Sequence, residues 1–294
     1  MNKEIQIQEA IGNLRGKTIV IKYGGAAMKS SGLRNCVVKD IVNLRESEAE
    51  IVLVHGGGPE LTELQEQLGI ETRFVDGLRY TDAQTIDAAL MALCGKVNKD
   101  IVRMLEKEGQ RAAGFSGIDG STILCRKQSD PDLGYVGDII RIKKELIHTL
   151  LIGGIMPVIS TIGIGEDGLA YNINADTAAG RIAASMSADY FITLSDVPGV
   201  LQDVNDPISL IVEMNETEAE DLIESGVIFG GMIPKVRGLA DAVKRGARSA
   251  SIVDGRVPHS LLFALAERAA SERGMILEEE IHFVGTTVSK QKKD

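Results

Sequence analysis

The chain has 294 residues, 44% of them hydrophobic and 25% charged, and Lys+Arg 32 against Asp+Glu 42 gives a net charge of −10. That composition suits a globular protein long enough for one large domain or two lobes. The acidic balance argues against nucleic acid as the main partner, and any anionic ligand must meet a local cluster of lysines, arginines and backbone N–H groups.

The N-terminal stretch MNKEIQIQEAIGNLRG lacks the apolar run of a signal peptide, and no run of about 18 apolar residues predicts a membrane span. Three scattered cysteines (Cys36, Cys94, Cys125) and four histidines without ligand spacing predict a reduced, cytoplasmic chain with no disulfide framework and no structural zinc. Ile7, Ile11 and Leu14 fall at helical spacing ahead of Gly16 and predict an N-terminal helix within residues 1–17.

TIVIKY (18–23) reads as a strand that ends on Lys22 and runs into Gly24 and Gly25. An unpaired buried ammonium is costly, so Lys22 calls for an anionic partner; a lysine snorkelling from a strand end is the bland alternative. A helix is predicted over 33–46. IVLVHGGG (51–58) is a second strand, running into Gly56, Gly57 and Gly58, and Pro59 suits a helix start. Three residues without Cβ let an anion approach the N–H groups of that helix start.

DGLRYTDA places Arg79 in a loop, where a guanidinium suits a two-point grip on a carboxylate. Ile86, Leu90, Leu93, Val97, Ile101 and Leu105 predict a long helix over 82–108, with Asp82 as its cap. RAAGFSGIDGSTIL reads as a strand followed by a hairpin around Asp119-Gly120. IMPVIST (155–161) is a buried strand. GIGEDG (163–168) spells G-x-G-x-x-G but leads into strand-like residues, so Asp167-Gly168 reads as a hairpin turn and not as a dinucleotide fingerprint. GNLRGKT is one residue short of a P-loop and precedes a strand instead of following one.

In YNINADTAAG (171–180), Asn172 and Asn174 alternate with Tyr171 and Ile173, so both amides face one side. Turn stabilisation would explain them as well. Asp176 lies at or near a helix start, either as its N-cap or as the partner of Lys22. DYFITLSD is a strand. GGMIPKVRGLADA places Lys235 at a helix start, where a cation opposes the helix dipole unless an anion also binds there. A further strand (SASIVDG) and a helix (VPHSLLFALAERAAS) follow. This alternation predicts an α/β fold, a three-layer αβα sandwich around a mostly parallel sheet, with two lobes sharing that sheet and ligands beyond the carboxyl ends of its strands.

The segments IKYGG, VHGGGPE, DGLRYTD, GKVNKDIV, YNINADTAAG, LSDVPGVL and GGMIPKV, in this order over residues 19 to about 254, resemble the amino acid kinase family. The GLR and NINAD stretches resemble its members that act on N-acetyl-L-glutamate more than those acting on aspartate, carbamate or nucleotides. The resemblance implies the amino acid kinase fold, with an N-terminal helix (1–17), a lobe for acetylglutamate and dimerisation (18–178) and an ATP-binding lobe (179–294). It implies phosphorylation of the acetylglutamate side-chain carboxylate by ATP, in arginine biosynthesis. Lys22 and Lys235 would stabilise the transferring phosphoryl group, with Asp176 orienting both. Gly24, Gly25, Gly57 and Gly58 would give backbone N–H groups to phosphate and substrate. Arg79, Asn172 and Asn174 would hold the acid, and Ser195, Asp196 and Gly199 would lie by the nucleotide. Mg²⁺ is expected on the nucleotide, held by ATP oxygens and water, since no carboxylate pair is evident to cage it.

A sibling kinase for another carboxylate or carbamate, or a non-catalytic amino-acid sensor on the same fold, is the alternative. The resemblance also raises arginine as an inhibitor and a homodimer or a hexamer (a trimer of dimers) as the assembly. The C-terminal AERAASERGMILEEEIHFVGTT departs from the family's usual ending, although Gly285-Thr286 is retained.

Overall fold

The protein is described by a computed structural model, over residues 3–28, 30–75, 77–206, 208–275, 277 and 285–290. Its central strand, Thr18–Tyr23, is apolar on both faces. Ile19, Ile21 and Tyr23 enter one core cluster and Val20 enters another. Burial on both sides is what a central parallel strand requires. It pairs in parallel with Glu50–His55 on one side and with Tyr190–Ser195 on the other.

Among the described residues the large sheet has eight strands, in the order Glu213–Asn215, Gly285–Ser289, Ser249–Asp254, Tyr190–Ser195, Thr18–Tyr23, Glu50–His55, Met156–Ser160, Ala112–Ser116. The six from Ser249–Asp254 onward are mutually parallel. Gly285–Ser289 runs antiparallel to its neighbour Ser249–Asp254. One face is covered by the helices Lys3–Gly12, Ser31–Glu46, Asn98–Lys107 and Ser260–Ser271. The other is covered by Glu145–Ile152, Ala175–Ser185, Glu216–Glu224 and Met232–Arg245. This is the αβα sandwich that the alternation predicts. From Thr18–Tyr23 the chain first builds the sheet to one side, then returns through Tyr190–Ser195 to build the other. A crevice opens at the carboxyl ends where this direction switches.

Smaller sheets stand over that end. Ala170–Asn172, Ile162–Gly165, Ile123–Lys127 and Gly137–Ile142 form a four-stranded sheet, and Phe74–Val75 pairs with Leu78–Arg79 as a short ribbon. The hairpin at Asp167-Gly168 is present, joining Ile162–Gly165 to Ala170–Asn172. The hairpin expected at Asp119-Gly120 is not. Ala112–Ser116 stays in the large sheet, whereas Ile123–Lys127 joins the small one. Between them the Asp119 carboxylate accepts from Ser116 N and Oγ at 2.7 and 2.8 Å, turning the chain out of the first sheet.

The long helix runs from Ala83, with Asp82 Oδ1 accepting from Thr85 N at 2.8 Å as its cap. Its middle, Leu90–Val97, is a π-helix, and an α-helix resumes over Asn98–Lys107. Such wide turns cluster at functional sites. The N-terminal helix buries Ile7 and Ile11, and the turn after it buries Leu14, in the same cluster as Leu261 and Leu265 of the last helix, so that stripe is satisfied within its own chain.

Candidate functional site

Alternation along Thr18–Tyr23 puts Lys22 on the face of Val20, the side on which helix Ala175–Ser185 packs. That helix is capped by Asn174, whose Oδ1 accepts from Thr177 N at 3.0 Å. Asp176, an N-cap candidate by sequence, therefore sits inside the first turn. Its Oδ1 lies 3.0 Å from Lys22 Nζ, with side chains 13% (Lys22) and 30% (Asp176) exposed. The same oxygen is buried and accepts no aligned hydrogen bond, so the contact is purely an ion pair.

The two glycine turns close around this ammonium. A Cβ built on Gly24 would lie 3.7 Å from Lys22 Cε, 3.8 Å from Lys22 Nζ and 3.7 Å from Gly56 N. A Cβ on Gly56 would lie 3.5 Å from Ala175 Cβ. Lys22, both turns and the start of the Asp176 helix thus meet at one place. Gly57, the N-cap of helix Gly58–Leu68, has φ +153°, and a Cβ there would fall 2.7 Å from Leu93 Cδ2. An L side chain there would strain the backbone and have to displace Leu93. With no side-chain cap, the first N–H groups of this 11-residue helix are left for a ligand. Gly25 opens a short 3₁₀ turn, Gly25–Met28, with φ +59°.

Beside the Gly57 turn lies a cavity of about 210 Å³ whose lining includes Gly57, Gly58, Arg79, Asn172 and Asn174, with Leu61, Leu93 and Ile173 as apolar wall. The Arg79 guanidinium donates from Nη2 to Thr62 Oγ1 at 2.8 Å and to Gly58 O at 3.1 Å, and from Nη1 to Gln65 Oε1. It lies 4.8 Å from the Phe74 ring centroid, and burial lowers its proton affinity. Asn172 donates to Thr81 Oγ1 at 3.3 Å. The cavity matches a small acid with one carboxylate at Arg79 and amide contacts at the asparagines.

A second cavity, of about 500 Å³, is bounded by Asp196, Gly199 and Lys235 and walled by Val200, Ile228, Phe229 and Met232. Polar groups at one end and an apolar slot at the other suit a nucleotide. Lys235 Nζ donates to Ser195 Oγ at 2.9 Å and to Asp196 Oδ1 at 3.0 Å. That hydrogen bond holds the Asp196 carboxyl below its usual range. Lys235 stands in the first turn of helix Met232–Arg245, behind Gly230 and Gly231. Gly199 has φ +141°, and its Cβ would strike Thr286 Oγ1 at 2.6 Å, the hydroxyl that accepts from Val200 N at 2.7 Å.

The structure thus gathers Gly57, Gly58, Arg79, Asn172 and Asn174 at one cavity and Asp196, Gly199 and Lys235 at the other, with Ser195 buried behind the second as a partner of Lys235. Lys22, Asp176, Gly24 and Gly56 stand at the carboxyl end of the strand that neighbours Tyr190–Ser195; Lys22 pairs in register with Thr193. One expectation needs correcting. Asp176 does not hold both lysines here: it pairs with Lys22, and Lys235 is held by Asp196 and Ser195. Among the described residues, no group of three or more His, Cys, Asp or Glu could hold a metal ion. None of their helices is long and apolar enough to cross a membrane.

Sequence reasoning passed over Thr62, Gln65 and Thr81, which position Arg79 and Asn172. It also passed over His55 and Asn98, which lie behind the glycine turn. The signal for His55 was its place at the end of an apolar strand, directly before three glycines.

The family model described as "Amino acid kinase family" matches residues 17–254. A protein named acetylglutamate kinase from Clostridioides difficile is 47% identical over 251 residues, covering 85% of this chain and 88% of that protein. One of the same name from Nostoc sp. is 46% identical over 250 residues, covering 85% of this chain and 84% of that one. Among solved structures, an N-acetylglutamate synthase from Neisseria gonorrhoeae, complexed with coenzyme A and N-acetyl-glutamate, matches with TM-score 0.80 and 21% identity; the match covers 99% of this chain and 63% of that protein's length. Carbamate kinase from Giardia lamblia bound to AMP-PNP matches with TM-score 0.67 and 17% identity, covering 95% of this chain and 100% of that one. At such identities the two structures establish the fold.

Proposed function

We propose the following chemistry for this chain, which belongs to the amino acid kinase family. The chain is an enzyme, a kinase. Its reaction is the ATP-dependent phosphorylation of the side-chain carboxylate of N-acetyl-L-glutamate, giving N-acetyl-L-glutamyl 5-phosphate and ADP, a step of arginine biosynthesis.

Two anions must be brought together, and the carboxylate nucleophile needs no general base. Catalysis is therefore positioning and charge neutralisation. Arg79, with Asn172 and Asn174, holds the far end of acetylglutamate, and Gly57 and Gly58 receive its reacting end at the helix start. The nucleotide lies along Gly199 and Asp196 with its phosphates toward Lys235. Lys22, Lys235 and the N–H groups around Gly24 and Gly25 face the phosphoryl group in flight. Asp176 holds Lys22 in place, and Asp196 and Ser195 hold Lys235. ATP enters as its Mg²⁺ complex, with the ion carried by phosphate oxygens and water. The two lobes, divided near residue 178, carry the acid and the nucleotide respectively, in a cytoplasmic enzyme.

The observation that carries this reading is the ion pair of Lys22 and Asp176 beside the glycine turn that lines the acid cavity, on the strand next to the one whose last residue, Ser195, accepts from Lys235. ADP release measured with acetylglutamate, glutamate, aspartate and carbamate tests it. Turnover restricted to acetylglutamate is expected; preference for another acid, or none, contradicts it.

Arginine as an inhibitor, and a dimer or hexamer as the assembly, are finer proposals. What supports the first is a cavity of about 620 Å³ at the end of the docked N-terminal helix, where Glu213 and Glu272 meet Arg268 and Arg248. A free guanidinium could compete for those carboxylates. Light scattering with and without arginine, alongside ADP release, tests both.

A further inference from the structure

Behind the Gly57 turn lies a polar chain that touches neither cavity. His55, fully buried at the end of Glu50–His55, has Nδ1 at 2.8 Å from Gly56 O. Its Nε2 lies 3.0 Å from Asn98 Nδ2. Asn98 Nδ2 also donates to Val158 O at 3.0 Å, and Asn98 Oδ1 accepts from Lys99 Nζ at 3.0 Å. Flipping that amide would set its oxygen against a carbonyl and its NH₂ against an ammonium, so its orientation is fixed from both ends. The tautomer of His55 follows. Gly56 O can only accept, so Nδ1 carries the proton; Asn98 donates, so Nε2 carries the lone pair. Burial favours the same neutral ring, pulling its proton affinity down to about 4.

The arrangement has been made room for. A Cβ on Gly114 would fall 1.9 Å from Asn98 Oδ1, so only glycine admits the amide there. The π-helix delivers Leu93 and Val97 onto Gly57, and Asn98, the first residue of the α-helix that follows it, reaches His55. All of this converges on one peptide unit. Gly56 C=O and Gly57 N–H belong to the same planar trans amide and point in opposite directions. Two residues without side chains would otherwise let that unit swing.

We propose that His55 is a positioning residue for phosphoryl transfer: pinned by Asn98 as the Nδ1–H tautomer, it holds the Gly56 carbonyl and so aims the Gly57 N–H at the reacting end of the acid. The proposal rests on the kinase reading above. Donors that stabilise developing charge act only when held in advance, so losing the hold costs turnover more than nucleotide binding.

The test compares His55→Leu, which has no donor for Gly56 O, with His55→Asn, whose amide nitrogen can stand where Nδ1 stood. In folded His55→Leu, kcat for acetylglutamate falls about 10²-fold while KM for ATP stays within about twofold, and His55→Asn recovers at least about tenfold of that loss. Nitrogen-15 histidine spectra of the unaltered protein provide a readout that does not depend on either variant folding; Nδ1–H with a bare Nε2 is expected at pH 7. An Nε2–H or doubly protonated ring, a folded His55→Leu with kcat within about threefold of the parent, or a His55→Asn that has lost more than about 10²-fold overturns the assignment. A parent enzyme that makes no ADP from acetylglutamate instead overturns the kinase reading itself.

Discussion

The carboxylate of Asp176 lies 3.0 Å from the ammonium of Lys22, and the two come from elements 154 positions apart that meet only at the crevice of the large sheet. The first stands at the end of a central strand and the second in the first turn of the helix covering it. Neither is deeply sealed, and the carboxylate spends its buried oxygen on Lys22 alone. An ion pair so placed does little for stability. On the kinase reading proposed above, it sets the direction of a cation beside the glycine turns, a requirement of phosphoryl transfer and not of folding.

Removing the second cation should show the same division. Lys235→Ala is expected to lower kcat by about 10²–10³, the usual loss for one preorganised charge donor. Its partner Asp196 is mostly exposed, and the buried Ser195 keeps a donation to Asp196 Oδ1 at 3.4 Å, so melting temperature should change little. Steady-state kinetics decide the matter; near-normal turnover would remove Lys235 from the mechanism.

Arg79 is expected to act on the acid and not on ATP. It lines the smaller cavity and is braced by Thr62, Gln65 and Gly58. Arg79→Ala should raise KM for acetylglutamate by about 10–100-fold, the loss of a charged hydrogen-bonding partner, and leave KM for ATP unchanged. A variant altered only toward ATP would contradict the placement of the acid.

Gly57→Ala tests the turn itself. The added methyl meets Leu93 Cδ2 at 2.7 Å in a backbone with φ +153°. Overpacking of this kind costs about 1–3 kcal/mol, and the variant should lose both thermal stability and turnover. Retention of both would mean that the turn relaxes freely and does not hold a fixed N–H.

Stability should also depend on pH through His55. Its folded-state pKa, about 4, lies below the usual 6.5 because burial disfavours the charged ring. A depressed value means that the stabilisation is complete above pH 6.5 and is lost as pH falls toward 4, to a limit of about 3 kcal/mol. Asp40 works the other way in the same range. Burial raises its carboxyl to about 6, against the pull of His259, so its contribution is fullest below its usual 3.8 and is lost as pH rises through 6. Comparing the protein with His55→Asn separates the two, because Asn does not titrate. On acidification from pH 6.5 to 4 the parent should lose stability relative to the variant, as read from denaturant midpoints. A pH-independent difference would show that His55 does not titrate with folding.

Much of the site was legible because its residues break local rules. Lys22 ends a buried strand, Gly56 to Gly58 repeat where one glycine would turn the chain, and Lys235 opposes a helix dipole. Each is hard to justify within its own segment; the glycines and Lys235 line cavities, and Lys22 stands beside the glycine turns with Asp176 as its partner. The alternation of strands and helices likewise carried the layers and the parallel order. What escaped were relations between segments. Asp119 binds back to Ser116 and sends the next strand into another sheet, so a local hairpin pattern misled. Asn174 outcompetes Asp176 for the cap, leaving Asp176 for Lys22. Lys235 takes the nearer Asp196, a choice that depends on how the Tyr190–Ser195 strand ends. The π-turn at Leu90–Val97 keeps an apolar periodicity that an ordinary helix would show equally, and it became visible only through Leu93 against Gly57.

The central claim is that phosphorus passes from ATP to the side-chain carboxylate of acetylglutamate at the place where Lys22 stands. Hydroxylamine trapping tests it most directly, because it converts an acyl phosphate into a stable hydroxamate. With ATP, Mg²⁺ and acetylglutamate, hydroxamate should form in step with ADP, and Lys22→Ala should abolish both. ADP without hydroxamate, or undiminished hydroxamate from Lys22→Ala, would contradict the account.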